Sequence, residues 1–144
     1  MKTAITFAIL VSMLLSPMQL MSQETLPQAT IKEVMERIIT TATNTLWGAD
    51  NPQTDEEWQT LDDAAITMIA IGNVLDMGGS GPSDNDWAAD PVWKAFNQAM
   101  SNAAVQYRQA IQDKSMDAMF EAGDAIYTPC EACHLQFNPG VAGQ

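Results

Sequence analysis

The sequence predicts an all-α protein, an antiparallel four-helix bundle. Three observations carry this reading. Four stretches have apolar residues stepping by three and four positions, the connections between them are mostly short, and no run of alternating apolar and polar residues competes as a strand.

Residues 1–22 stand apart from that pattern. Met1-Lys2 gives a short positive start, and the run AITFAILVSMLL (Ala4 to Leu15) is uncharged and about twelve residues long, which fits the apolar stretch of an export signal and is short for a membrane span. The expected organisation is a cleaved signal over 1–22, with the bond falling between Ser16 and Glu24, and a single domain over 23–144. The protein is therefore expected in the periplasm, soluble and without a membrane anchor.

In the mature part, the first helix is expected from about Ala29 to Trp47, with Ile31, Met35, Ile38, Ala42 and Leu46 on its inner stripe and Gly48 ending it. The second opens on Thr54-Asp-Glu-Glu57, a capping-box pattern. Its seam is Trp58, Leu61, Ala65, Met68, Gly72 and Leu75. Residues 78–90 (GGSGPSDNDWAAD) read as a flexible linker. They lack the preceding strand and the G-K-[ST] ending of a phosphate loop. Asp90-Pro91 then places an N-cap before Pro at the first helical position. The third seam is Trp93, Phe96, Met100, Ala103, Tyr107 and Ala110. The fourth helix starts near Ser115 and shows Met116, Met119, Gly123 and Ile126 in the same steps; continued, the register reaches Cys130 and Cys133, provided that Pro129 bends the helix rather than ending it.

Charge narrows the function classes. The whole chain carries a formal −12, a surface that repels nucleic acid and anionic lipid, so a docking partner is expected to present a basic patch. No nucleophile–base pair or pair of carboxylates argues for hydrolysis or group transfer, and no enzymatic activity is expected.

The chemistry concentrates in TPCEACHLQF, residues 128–137, which hold both cysteines and the only histidine. A thioredoxin-like dithiol belongs at the end of a strand, and none is evident. A structural zinc site needs four ligands, and the stretch offers two Cys and one His. A Cys130–Cys133 disulfide closes a tiny loop and leaves His134 unexplained. C-x-x-C-H is the attachment signature of c-type haem: two thiols form thioethers with the porphyrin edge, and the following histidine takes an axial position on the iron. One haem c per chain, attached through Cys130 and Cys133 and ligated by His134, is the expected cofactor.

With the motif about ten residues from the C-terminus, at the end of the last of four helices, the mature chain resembles the class II c-type cytochromes, the cytochrome c′ group and its six-coordinate relatives. That resemblance implies a haem-binding bundle that carries single electrons to and from redox partner proteins. It also implies pairing into a homodimer through exposed helix faces. The first helix is implied to face the far side of the ring, which makes Met35 the candidate sixth ligand. If that position is open, the alternative is a five-coordinate protein that binds NO or CO. Trp58, Trp93, Phe96 and Tyr107 are candidates for the haem wall. The sequence departs from the family after the haem histidine: Leu135-Gln136-Phe137 has no basic residue, so Arg37, Lys94 or Arg108 would have to neutralise a propionate.

Overall fold

The computed structural model describes residues 27–140, and the expected signal 1–22 lies outside the described residues. Within them there are helices and no strand. In chain order these are α1 (Ile31–Val34), a π-helical turn (Met35–Ile39), α2 (Thr40–Trp47), α3 (Asp55–Leu75), α4 (Asp84–Ala89), α5 (Pro91–Gln112) and α6 (Met116–Phe137). The first three run without a break and form one rod over 31–47. This rod packs on α3, α3 on α5, α5 on α6, and α6 more sparingly on α2.

Each start follows local chemistry. Thr30 and Thr54 both form complete capping boxes, with Glu33 and Glu57 returning the hydrogen bond to the cap backbone. These backbone and hydroxyl donors hold both glutamates below the usual carboxylate range. Asp90 accepts from the Val92 amide at 2.8 Å ahead of a helix that begins with Pro91, and Ser115 caps α6. The Thr54 and Asp90-Pro91 starts are those the sequence predicts; the Thr30 cap trims the first helix by two residues.

The seams of α3, α5 and α6 are the core. Met68, Leu75, Trp93, Tyr107, Met119 and Ile126 are almost wholly withdrawn from solvent, with Leu46 from the first rod. Burial of each such side chain contributes about 1.5–3 kcal/mol. Gly72 lets α3 and α5 approach: a Cβ there would lie 3.1 Å from the Asn97 carbonyl oxygen and against the Ser101 hydroxyl.

Two expectations change. In the first rod Ile39, and not Ile38, faces the core: Ile39 is 7% exposed and Ile38 40%. Ile39 closes the π turn that begins at Met35, four residues earlier on the same face, while Ala42 and Leu46 stay buried where the sequence places them. The second change concerns 78–90, which is a pinned segment containing α4 and not a flexible linker. The buried carboxylate of Asp84 accepts from the amides of Ile31 (2.9 Å) and Gly81 (2.8 Å), Ser80 N–H donates to the Ala29 carbonyl at 3.1 Å, and its hydroxyl donates to that of Gln28 at 2.9 Å. A side chain at Gly79 would meet the Ala29 carbonyl at 2.9 Å and the Ile31 nitrogen at 3.0 Å. The loop is thereby clasped to the entry of the first rod.

The last helix runs through Pro129 to Phe137. Proline removes one donor to the preceding turn, but Ile126 before it and Cys133 after it are both in the core, so packing on either side keeps the helix whole.

Candidate functional site

The sparse contact between the first rod and α6 leaves a cleft of about 250 Å³. α6 supplies one wall with Pro129, Cys130, Cys133 and His134; the first rod supplies the other with Met35, Ile39, Thr40 and Thr43; Leu75, Phe96, Asn97 and Met100 form its floor. The cysteines are one helical turn apart and not bonded to each other. Cys133 is buried, while Cys130 and His134 are half-buried. The Asn138 amide donates to the His134 carbonyl at 2.9 Å, so the helix remains hydrogen-bonded through the residue that follows the second thiol.

Burial sets the state of the thiols. It raises Cys130 to about 11, and it raises Cys133 to about 12 with a further push from Cys130. At neutral pH both are protonated. Redox-active dithiols and thiolate metal sites need the opposite shift. Among the described residues no group of three or more His, Cys, Asp or Glu is placed to hold a metal ion.

The wall opposite α6 is shaped by the π turn. The Met35 carbonyl accepts both the backbone N–H of Thr40 and its hydroxyl, the latter at 2.9 Å. Met35 and Ile39, at the two ends of that turn, both line the cleft. Thr41, Thr43 and Thr45 likewise donate their hydroxyls to carbonyls four residues back, at 2.9, 2.9 and 3.0 Å. These bonds satisfy polar β-branched residues within the rod itself.

One end of the cleft is closed by an aromatic pair. Trp47 and Tyr127 meet edge to face with centroids 6.2 Å apart, and the Trp47 indole N–H donates to the Gly123 carbonyl at 3.2 Å. The Tyr127 hydroxyl donates to Glu131 at 3.2 Å, and that carboxylate is the main reason the phenol titrates above its ordinary range. On the floor the Asn97 side-chain amide donates to Asp76 at 2.7 Å.

The structure brings together all four residues that the sequence singles out: Cys130, Cys133, His134 and Met35 share one cleft. No family model, curated protein or solved structure matches the chain. The donor set therefore stands on its own chemistry. Two protonated, unbridged thiols one turn apart, a histidine directly after the second, a thioether on the facing wall and a largely apolar lining fit a covalently held haem.

The four aromatic candidates from the seams part company. Of Trp58, Trp93, Phe96 and Tyr107, only Phe96 lines the cleft. Trp93 stacks on Trp87 at 5.6 Å and meets Phe137 at 5.1 Å, with its indole N–H donating to the Leu75 carbonyl at 3.2 Å. Tyr107 donates to the Leu46 carbonyl at 2.6 Å, and its burial raises the phenol to about 12. Trp58 lies at the edge of the fold with the Lys114 ammonium 5.5 Å above its ring. Trp47 and Tyr127 line the cleft although they lie off the predicted seams, and Met100 lines it from a seam position. Met100 reads as ordinary core, and Trp47 and Tyr127 sit on turns whose outward angle says nothing of the neighbouring rod. None of Arg37, Lys94 and Arg108 lines the cleft; Arg108 pairs with Asp62 at 2.8 Å.

Proposed function

We propose that this chain is a mono-haem c-type cytochrome that carries single electrons, built as an antiparallel four-helix bundle and acting in the periplasm. The observation that carries the reading is the convergence of Cys130, Cys133 and His134 on one apolar cleft, with Met35 on the facing wall. Haem held there supplies the one-electron couple, and Met/His ligation suits electron transfer by raising the potential.

The remaining roles fall to the protein. Cys130 and Cys133, one helical turn apart, would hold the group covalently, and His134 would supply a nitrogen ligand to its iron. Phe96, Leu75 and Ile39 exclude water from the cleft, which favours the less charged redox state. Met35 would offer its thioether sulfur as a second ligand opposite the histidine, and the two bonds from Thr40 to its carbonyl fix the backbone from which it reaches.

Binding of a small diatomic gas is a second reading. It draws support from Asn97, a buried amide on the cleft floor that can hydrogen-bond a polar guest.

Visible spectra of the protein exported from a haem-maturing host separate these readings. Electron transfer with Met35 bound predicts a six-coordinate spectrum in both oxidation states, indifferent to CO, and a marked ferric change in Met35→Ala. Stoichiometric CO uptake by the reduced protein supports the gas-binding reading, and a colourless protein removes both.

A further inference from the structure

The outer face of α6 runs beside the cleft and carries features that the cleft chemistry does not use. Helical spacing sets Phe120, Asp124, Tyr127 and Glu131 along one stripe, with Asp117 and Glu121 next to it. Phe120 is 60% exposed, and Tyr127 and Trp47 are 45% exposed each. Two of these rings are not loosely held: Trp47 is tied to the Gly123 carbonyl and packs on Tyr127, while the Tyr127 hydroxyl is tied to Glu131. Rigid exposed aromatics lose little conformational freedom when another surface covers them, and they are the residues that most often anchor interfaces.

The charge around them has one sign. α6 carries Asp117, Glu121, Asp124 and Glu131 and no Lys or Arg. All five Lys and Arg among the described residues lie elsewhere: Lys32 and Arg37 on the first rod, Lys94 and Arg108 on α5, and Lys114 in the turn before α6. The other acidic stretch, at the start of α3, differs on both counts. Arg108 pairs with its Asp62, Lys114 covers its Trp58, and it shows no exposed aromatic ring.

We propose that Phe120, Trp47 and Tyr127, with the carboxylates beside them, form the docking face for a redox partner protein whose contact surface is apolar at the centre and rich in Lys and Arg at the rim. The proposal rests on the haem reading, because Trp47 and Tyr127 close the cleft that holds Cys130 and His134. A second copy of this chain is a poor occupant, since it would set the carboxylates of one α6 against those of another.

The test uses the exported protein with its tryptophans labelled with ¹⁵N, titrated with a lysine-rich cytochrome c in its diamagnetic ferrous form as the basic probe. The chain has four tryptophans, so four indole signals report on four places. The Trp47 signal is expected to move and those of Trp58 and buried Trp93 to stay. Affinity is expected to fall about tenfold between low salt and about 0.15 M ionic strength. The pair Glu121→Lys with Asp124→Lys, both outside the cleft, is expected to weaken binding by about tenfold at an unchanged melting temperature. Unchanged affinity in that variant overturns the proposal, as does movement at Trp58 in place of Trp47. A dimer of this chain that Phe120→Ser dissolves also overturns it, by giving the face to a second copy. A colourless protein that still shows the Trp47 response sinks the haem reading and leaves the docking face; a red protein without that response sinks only the docking face.

Discussion

The two walls of the cleft are built by different means. The α6 wall is a plain continuation of its core seam: Met119, Gly123 and Ile126 lead by threes and fours to Cys130 and Cys133, and the helix passes Pro129 unbroken. The first-rod wall departs from regular helix at the residue facing the thiols. There the π turn over Met35–Ile39 inserts one residue, and the Thr40 hydroxyl joins its backbone N–H on the Met35 carbonyl. A site can thus take one wall from the periodicity that makes the core and the other from a local exception to it. Such single-turn π segments recur at functional sites.

The contrast is open to test from both sides, and the largest effect is expected on the α6 wall. With Cys130 raised from 9.0 to about 11 and Cys133 to about 12, the haem-free folded protein has far fewer thiolates than an unfolded chain. Both groups hold their protons more tightly when folded, so the protection is full below pH 9 and fades as pH rises through 11 and 12. Alkylation by iodoacetamide near pH 8 is expected to be slower than in denatured protein by on the order of a hundredfold at Cys130, and by more at Cys133. Peptide mapping of a time course measures both rates, and equal rates in folded and denatured protein would contradict the burial of the thiols.

On the opposite wall, Ile39→Ala is expected to cost about 2–4 kcal/mol, whereas Ile38→Ala costs under ~1 kcal/mol. Urea denaturation of the two variants decides it, and the reverse order would contradict the burial of Ile39 over Ile38. Asp84→Ala, which strands the Ile31 and Gly81 amides at the entry to that rod, is expected to cost about 2–3 kcal/mol in the same assay. A loss no larger than that of an exposed substitution would return 78–90 to the flexible linker that its composition suggests. The smallest effect is expected from Thr40→Val, about 1 kcal/mol, because it removes one of the two bonds to the Met35 carbonyl and leaves the other. Amide exchange faster at Thr40 than at Leu46 would report the loosened turn.

These outcomes also separate what the sequence made legible from what it hid. The α3, α5 and α6 seams and the caps at Thr54 and Asp90 follow from local patterns, and so does the arrival of Cys130, Cys133 and His134 at one place. Those signals lie within a few residues of one another and depend on helical period alone. The π turn escapes such reading because Ile38 and Ile39 are both apolar, so either satisfies the inner stripe, and the choice depends on how the rod meets α3. The clasp on 78–90 escapes for a similar reason: Asp84 finds its partner at Ile31, fifty-three positions away. Aromatic residues were the least legible. Trp58, Trp93, Phe96 and Tyr107 share helical registers, yet only Phe96 reaches the cleft, because spacing sets the position around a helix and not which part of a neighbouring helix it meets.

The central claim is that Cys130 and Cys133 are anchors for a single covalently bound haem, with His134 beside them. Mass spectrometry of the proteolytic peptide spanning residues 128–137, taken from protein exported by a haem-maturing host, tests it directly. The account predicts that peptide with one haem added across both thiols. A peptide carrying two free thiols, or a Cys130–Cys133 disulfide, would contradict it.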